Sequence, residues 1–188
     1  MVNTINLYQV DAFTDRLFSG NPAAVCPIRG TISEEEMQSI ATENNLSETA
    51  FIDLSVSPFR IRWFTPLAEI DLCGHATLAS ARVLFDEYLD HEVEEIVFDS
   101  NSGELRVYKQ NHKIFLDFPR DDPLEVDQKH EVRSVVERVI GECPKLIFRG
   151  RDDFLAVVDS PDQILSIRPD LEALEALPSR GLIVSSIG

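Results

Sequence analysis

The chain has 188 residues, 44% of them hydrophobic and 27% charged, enough for one ordinary domain or two small ones and too apolar for a disordered chain. Thirty-three acidic residues against 17 basic ones give a formal net charge of -16. A surface that negative repels phosphate backbones and anionic lipid, so neither nucleic acid nor a membrane is an expected partner.

The opening stretch has no basic segment followed by an apolar one, so no signal peptide is expected. No run approaches the roughly 18 apolar residues of a membrane span. The cysteines, Cys26, Cys73 and Cys143, are odd in number, widely spaced and free of a CxxC pattern, which argues against a disulfide framework or a structural zinc site. A reducing cytoplasm is the expected compartment.

Residues 5–13 alternate roughly between β-formers and polar residues and predict a strand. Phe18-Ser19-Gly20-Asn21-Pro22 is a turn cluster, followed by a short apolar strand at 23–26. Ser33 and Glu36 have capping-box spacing, with Met37, Ile40 and Ala41 as the inward stripe of a helix that stops near Asn44-Asn45. Residues 47–54 resume extended structure, and Phe59-Arg60-Ile61-Arg62-Trp63 alternates like a strand with one buried face.

A loop at 65–73 leads into the most apolar helix of the chain, 76–88. Its apolar residues surround much of the axis, so it must be enclosed on most sides. Strands at 95–98, 105–109 and 113–118 follow, the first two joined by a turn through Asn101-Ser102-Gly103. Several short strands around one buried helix predict an α+β lobe, a mixed β-barrel wrapped on its helix, over 1–119. The stretch from Pro119 to Gln128 is acidic and polar with two prolines, and residues 120–129 are the expected linker. The remainder, 130–188, has an amphipathic helix at 132–140 ended by Gly141, strands at 145–148 and 154–158, short helices over 162–177 interrupted by Pro169, and a strand at 181–187. Nothing in it matches the enclosed helix of the first part. It is either a small annex or an incomplete second lobe.

Two constellations can carry chemistry. Glu48 stands at a helix-to-strand junction beside apolar Ala50-Phe51-Ile52, and partial desolvation suits a carboxylate to moving protons near neutral pH. On the residues alone the plainer reading, a solvated edge glutamate, is the stronger. The second is Asp71-Leu72-Cys73-Gly74-His75-Ala76-Thr77. Small residues opening a buried helix leave free backbone N–H groups, and the helix dipole adds to their attraction for an anion. His75 can add a hydrogen bond or shuttle a proton. The plainer alternatives are Asp71 near the N-cap, His75 as a satisfied histidine and Cys73 as a small core residue. His91, His112 and His130 form no metal-ligand pattern and are assigned no role. There is no P-loop, no GxGxxG after a strand and no GxSxG elbow. Tyr8, Trp63 and Phe64 read as core.

Together the segments Val10-Asp11-Ala12-Phe13, Phe18-Ser19-Gly20-Asn21-Pro22-Ala23-Ala24-Val25, Asn45-Leu46-Ser47-Glu48-Thr49-Ala50-Phe51, Ile61-Arg62-Trp63-Phe64-Thr65-Pro66 and Glu69 through Ala79 resemble the PhzF-like family, which shares the diaminopimelate-epimerase fold. Ser102-Gly103-Glu104-Leu105 completes the pattern, and beyond Pro119 the resemblance loosens. It implies two pseudo-equivalent lobes with the site in the cleft between them, an acid/base glutamate at Glu48 and a substrate-contacting pair at Gly74 and His75, with Ala76 and Asp71 beside them. It also implies proton-shift chemistry on a small carboxylated metabolite without metal or organic cofactor, as the phenazine enzyme isomerises a dihydro-hydroxyanthranilate. The family's second-lobe motif, an acidic residue followed by Asp-Pro-x-Thr-Gly-Ser-Ala, belongs just after Ser185-Ser186-Ile187-Gly188, so half a site and an impaired catalyst are the expectation. The alternatives are a non-catalytic binding or assembly protein and an amino-acid epimerase using Cys73. Exposed strand edges in the second part predict a homo-oligomer.

Overall fold

The computed structural model describes residues 4–16, 18–111 and 113–187. The chain divides into two compact units, Met1–Phe118 and Pro119–Gly188.

In the first unit β1 (Tyr8–Ala12) pairs antiparallel with β2 (Asn21–Ile28). Gly20 closes this connection at φ +77, where a Cβ would lie 2.3 Å from the Ala12 carbonyl oxygen, so glycine alone fits. Helix α1 (Glu34–Asn44) then crosses to β3 (Glu48–Asp53), which runs parallel to β2. Ser33 caps α1 with the full reciprocal capping box to Glu36, and Asn45 ends it in the left-handed conformation at φ 50. Strand β4 (Phe59–Phe64) returns antiparallel to β3. The expected loop at 65–73 contains a two-residue strand, β5 (Glu69–Ile70), paired to the end of β4. Helix α2 (Gly74–Glu87) is followed by the meander β6 (Glu95–Ser100), β7 (Gly103–Gln110) and β8 (Lys113–Asp117).

These strands form one mixed sheet in the order β1-β2-β3-β4-β6-β7-β8, with β5 to one side. The sheet wraps on its helix as the sequence predicts, and β1 and β8 do not pair with each other among the described residues. Helix α2 packs on β1, β2, β3 and β8, so both ends of the sheet lie against it. The helix buries Ala76, Thr77, Ala79, Ser80, Ala81, Val83, Leu84 and Phe85, and keeps Arg82, Asp86 and Glu87 exposed. The period of two sorts the strands: Ala50, Ile52, Ile61 and Trp63 join the core around α2, while Phe51, Phe64 and Cys26 pack on Met37 and Ala41 of α1. A cavity of about 910 Å³ is lined by β1, α2 and β8, with Asp11, Thr14, Arg16, Leu78, Arg82 and Phe115 among its walls.

The second unit is a four-stranded sheet in the order β12-β11-β10-β9, formed by β9 (Leu124–Glu125), β10 (Leu146–Arg149), β11 (Asp153–Val158) and β12 (Gly181–Ser186). Segment 120–129, expected as a linker, belongs to this unit: β9 pairs with β10, and Val126 is buried in its core. Two residues are too few to show any periodicity, which hides such a strand in sequence. Helix α3 (Val132–Ile140) buries one stripe, Val132, Val136, Val139 and Ile140, and Gly141 ends it at φ 70. Short helices α4 (Pro161–Ser166) and α5 (Leu171–Glu175) carry the chain between the parallel strands β11 and β12. Among its described residues no helix is enclosed as α2 is in the first unit.

Candidate active site

The first residue of β3 and the first turn of α2 meet. Glu48 follows directly from the turn after α1 and lies level with Ala23 of β2, whose small side chain is fully buried. On the neighbouring turn, the Ser47 hydroxyl donates to Asn21 Oδ1 at 3.4 Å. Helix α2 starts at Gly74, and its N-cap is Cys73, in extended conformation, rather than Asp71. The Asp71 side chain is exposed, and its backbone carbonyl accepts a hydrogen bond from the Ser102 hydroxyl at 2.9 Å. Asp71 is therefore outside the cluster that the other candidates form.

That cluster is Glu48, Cys73 and His75. Glu48 Oε2 stands 3.1 Å from His75 Nε2, with 17% of the glutamate side chain and 10% of the histidine side chain exposed. The two atoms are close but misaligned for a hydrogen bond, and both are buried with no hydrogen-bond partner among the described residues. On the other edge of the ring, Cys73 Sγ lies 3.5 Å from Nδ1. Burial pushes the Cys73 thiol up to about 12; the nearby Ala76 and His75 amides oppose the rise and the Glu48 charge adds to it. The thiol is thus held protonated at neutral pH.

The start of α2 has no side-chain cap and no acidic residue in its first turn. The positive dipole end of the helix lies beside His75, and the His75 and Ala76 amides of this turn are directed at the Cys73 thiol, an arrangement that favours negative charge. The Thr77 hydroxyl donates to the Cys73 carbonyl at 2.5 Å and steadies this turn. Ala76 is fully buried, so it shapes the turn through its backbone. At Gly74 a Cβ would meet only Phe118 at 3.6 Å, an ordinary contact, so no protein atom demands glycine there. The 910 Å³ cavity does not include Glu48 or His75.

His91 and His130 are exposed, and His130 Nδ1 accepts from the Val132 amide at 3.2 Å at the start of α3; His112 lies outside the described residues. Cys26 is buried, with its thiol pushed to about 12 by desolvation, whereas Cys143 is exposed beside Glu137. Trp63 and Phe64 are core residues, and Tyr8 is half-buried with its hydroxyl 3.1 Å from that of Tyr88. Sequence reasoning did not place Cys73 against His75. The CGH triplet was the available signal, since an N-cap residue and the second residue of a helix share its first turn.

Residues 10–188 match the model of a family described as phenazine biosynthesis-like protein. The chain belongs to this PhzC-PhzF family. An uncharacterized isomerase of Pseudomonas aeruginosa is 45% identical over 184 residues, covering 98% of this chain and 69% of that protein. A crystal structure of a PhzF family protein from Enterococcus faecalis superposes with a TM-score of 0.85 at 42% identity, over 96% of this chain and 67% of the other. A predicted epimerase from Pseudomonas aeruginosa, 19% identical, superposes with a TM-score of 0.73 over 96% of this chain and 70% of that one, which relates the PhzF fold to the epimerases as architecture. No helix among the described residues is long and apolar enough to cross a membrane.

Proposed function

We propose that the chain carries the acid/base wall of a PhzF-type isomerase that moves a proton on a small carboxylated metabolite. The Glu48 carboxylate takes a proton from carbon, the electron pair left behind delocalises into an adjacent unsaturated system, and the same proton returns at another carbon. The substrate's formula is unchanged, and the step uses no oxidant and no organic cofactor. The positive end of α2, with His75, holds the substrate carboxylate. The observation that supports this reading is the 3.1 Å approach of two buried, unpartnered polar atoms, Glu48 Oε2 and His75 Nε2, at an uncapped helix start. A thiol kept protonated by burial is a poor base, which favours Glu48 over Cys73 in that role.

The test is deuterium wash-in from D₂O for a panel of small unsaturated and cyclic carboxylic acids, followed by NMR. Glu48→Gln should keep acid binding and lose about 10²–10⁴-fold in exchange rate. Unchanged exchange in that variant would sink the role given to Glu48. Binding without exchange in either form would favour a non-catalytic binding protein.

A polypeptide of these 188 residues is expected to turn over poorly beside the longer Pseudomonas relative, because one wall of a site neither excludes water nor positions a substrate. Matching rates for the two would refute this. Self-association through β12 belongs to the same reading. Among the described residues it is an edge strand, and Ile183 and the following Ile187 are exposed. Light scattering showing a monomer at high concentration would count against it. The cytoplasm is the proposed compartment, supported by the three unpaired cysteines.

A further inference from the structure

The geometry points to a second ligand for the same cluster: a thiophilic divalent cation, Zn²⁺ being the fitting case, bound by Glu48, Cys73 and His75. The wide cysteine spacing without a CxxC argues against a structural zinc site, but the donors here come from two separate elements. The fold brings one carboxylate oxygen, one sulfur and one ring nitrogen within 4.8 Å of one another.

Tetrahedral zinc, with bonds of about 2.3 Å to sulfur and about 2.1 Å to nitrogen or oxygen, holds its donors about 3.4–3.6 Å apart. Here sulfur and Nδ1 are 3.5 Å apart, and Nε2 and the carboxylate oxygen 3.1 Å. Cys73 Sγ approaches Nδ1 and the Glu48 oxygen approaches Nε2, and with the three donors already within 4.8 Å of one another an ion gathers them at one nitrogen by rotation of side chains alone.

Two further features favour a cation. His75 is nine-tenths buried, and its Nε2 and the facing Glu48 oxygen have no hydrogen-bond partner. Unpaired polar atoms of that kind are costly to bury unless a ligand joins them. Charge also balances: a carboxylate and a thiolate together neutralise a divalent ion, where two like charges alone would repel. Binding forms the metal–sulfur bond and releases the thiol proton to solvent. The mixed sulfur, nitrogen and oxygen donors select zinc or cobalt over magnesium or calcium, which take oxygen alone. Three protein ligands leave the fourth position open, the pattern of an accessible rather than a sealed zinc site. Metal capture needs no carbon acid and stands whether or not the chain turns anything over. A captured ion occupies the carboxylate and imidazole atoms given above to proton transfer, so it would switch that chemistry off.

The experiment is titration of the metal-free chain with Co²⁺, read by absorbance. One equivalent should produce a near-ultraviolet sulfur-to-cobalt charge-transfer band with tetrahedral bands in the visible, and Zn²⁺ should bleach both. Cys73→Ser should abolish the charge-transfer band. Glu48→Gln and His75→Asn, which leave the thiol in place, should each weaken Co²⁺ binding at least tenfold, with folding checked by circular dichroism. Cys143→Ser, which removes the exposed thiol, should change nothing. A missing band overturns the site, as does one that survives Cys73→Ser or is lost in Cys143→Ser. Because no substrate is present, failure here is separate from failure of the deuterium-exchange test.

Discussion

The Glu48 carboxylate stands 3.1 Å from the His75 imidazole, although the two are 27 positions apart and belong to a strand and a helix. If His75 holds a substrate carboxylate while Glu48 moves a proton, the two substitutions must separate. His75→Asn should weaken binding of small carboxylates about tenfold, or about 1.4 kcal/mol. Glu48→Gln should leave that affinity within a factor of a few and act on exchange. Titration calorimetry and deuterium wash-in on both variants check this, and equal effects of both substitutions on binding would contradict it.

Gly20 has no substitute. At φ +77 an added methyl group would press to 2.3 Å from the Ala12 carbonyl and 2.8 Å from Thr14 Cγ2. Gly20→Ala should destabilise the first unit by about 2–4 kcal/mol through combined backbone strain and overlap. Trp63 is the only tryptophan in the chain and is buried in that unit, so its fluorescence during urea unfolding reads the change directly.

Arg62 and Glu69 set a pH dependence of stability. Hydrogen bonds from the Arg62 guanidinium, at 2.7 and 2.6 Å, hold the Glu69 carboxyl below the usual carboxylate range, against the opposing effect of partial burial. The folded value lies below the unfolded one. The stabilisation is therefore complete above the unfolded carboxylate pKa of about 4.3, and is lost as pH falls through the lower folded value. Glu69→Gln should cost about 1–2 kcal/mol at pH 7, and the gap to the parent should close as pH falls below about 4. Trp63 fluorescence across a pH series of urea titrations measures it.

Thiol labelling should separate the cysteines. Burial holds Cys26 and Cys73 at about 12, so both stay protonated and enclosed near pH 8, while Cys143 is exposed. Ellman-type titration of the native chain should count one reactive thiol, and three after denaturation. Because both raised values favour the neutral form in the fold, stability should also fall as pH rises above about 9.

Local signals were legible in the sequence because they act over three or four residues. Ser33 with Glu36, Asn45 at a left-handed C-cap, Gly141 after α3 and the all-round apolar residues of α2 each carry their structural meaning within one turn. The candidates Glu48 and His75 were legible as separate residues, and the family pattern put them together. The rest depended on non-local pairing. Strands β5 and β9 have two residues each, too few for alternation to show, and they form because β4 and β10 offer them an edge. Whether β1 meets β8 is decided by the curvature of the whole sheet, which no local pattern encodes. Asp71 was the natural capping residue by type, yet the chain enters α2 two positions later and leaves it exposed.

His75 sits in the first turn of a helix whose following turns bury Leu84 and Phe85 against the strands around them. Its ring is carried on a rigid mount rather than a loop that can adjust. A ligand has to meet the imidazole where it stands, so acids that differ only in the spacing between carboxylate and reacting carbon should be sorted sharply. Selectivity would then come from misfit penalties imposed by the scaffold more than from any additional contact with the preferred molecule.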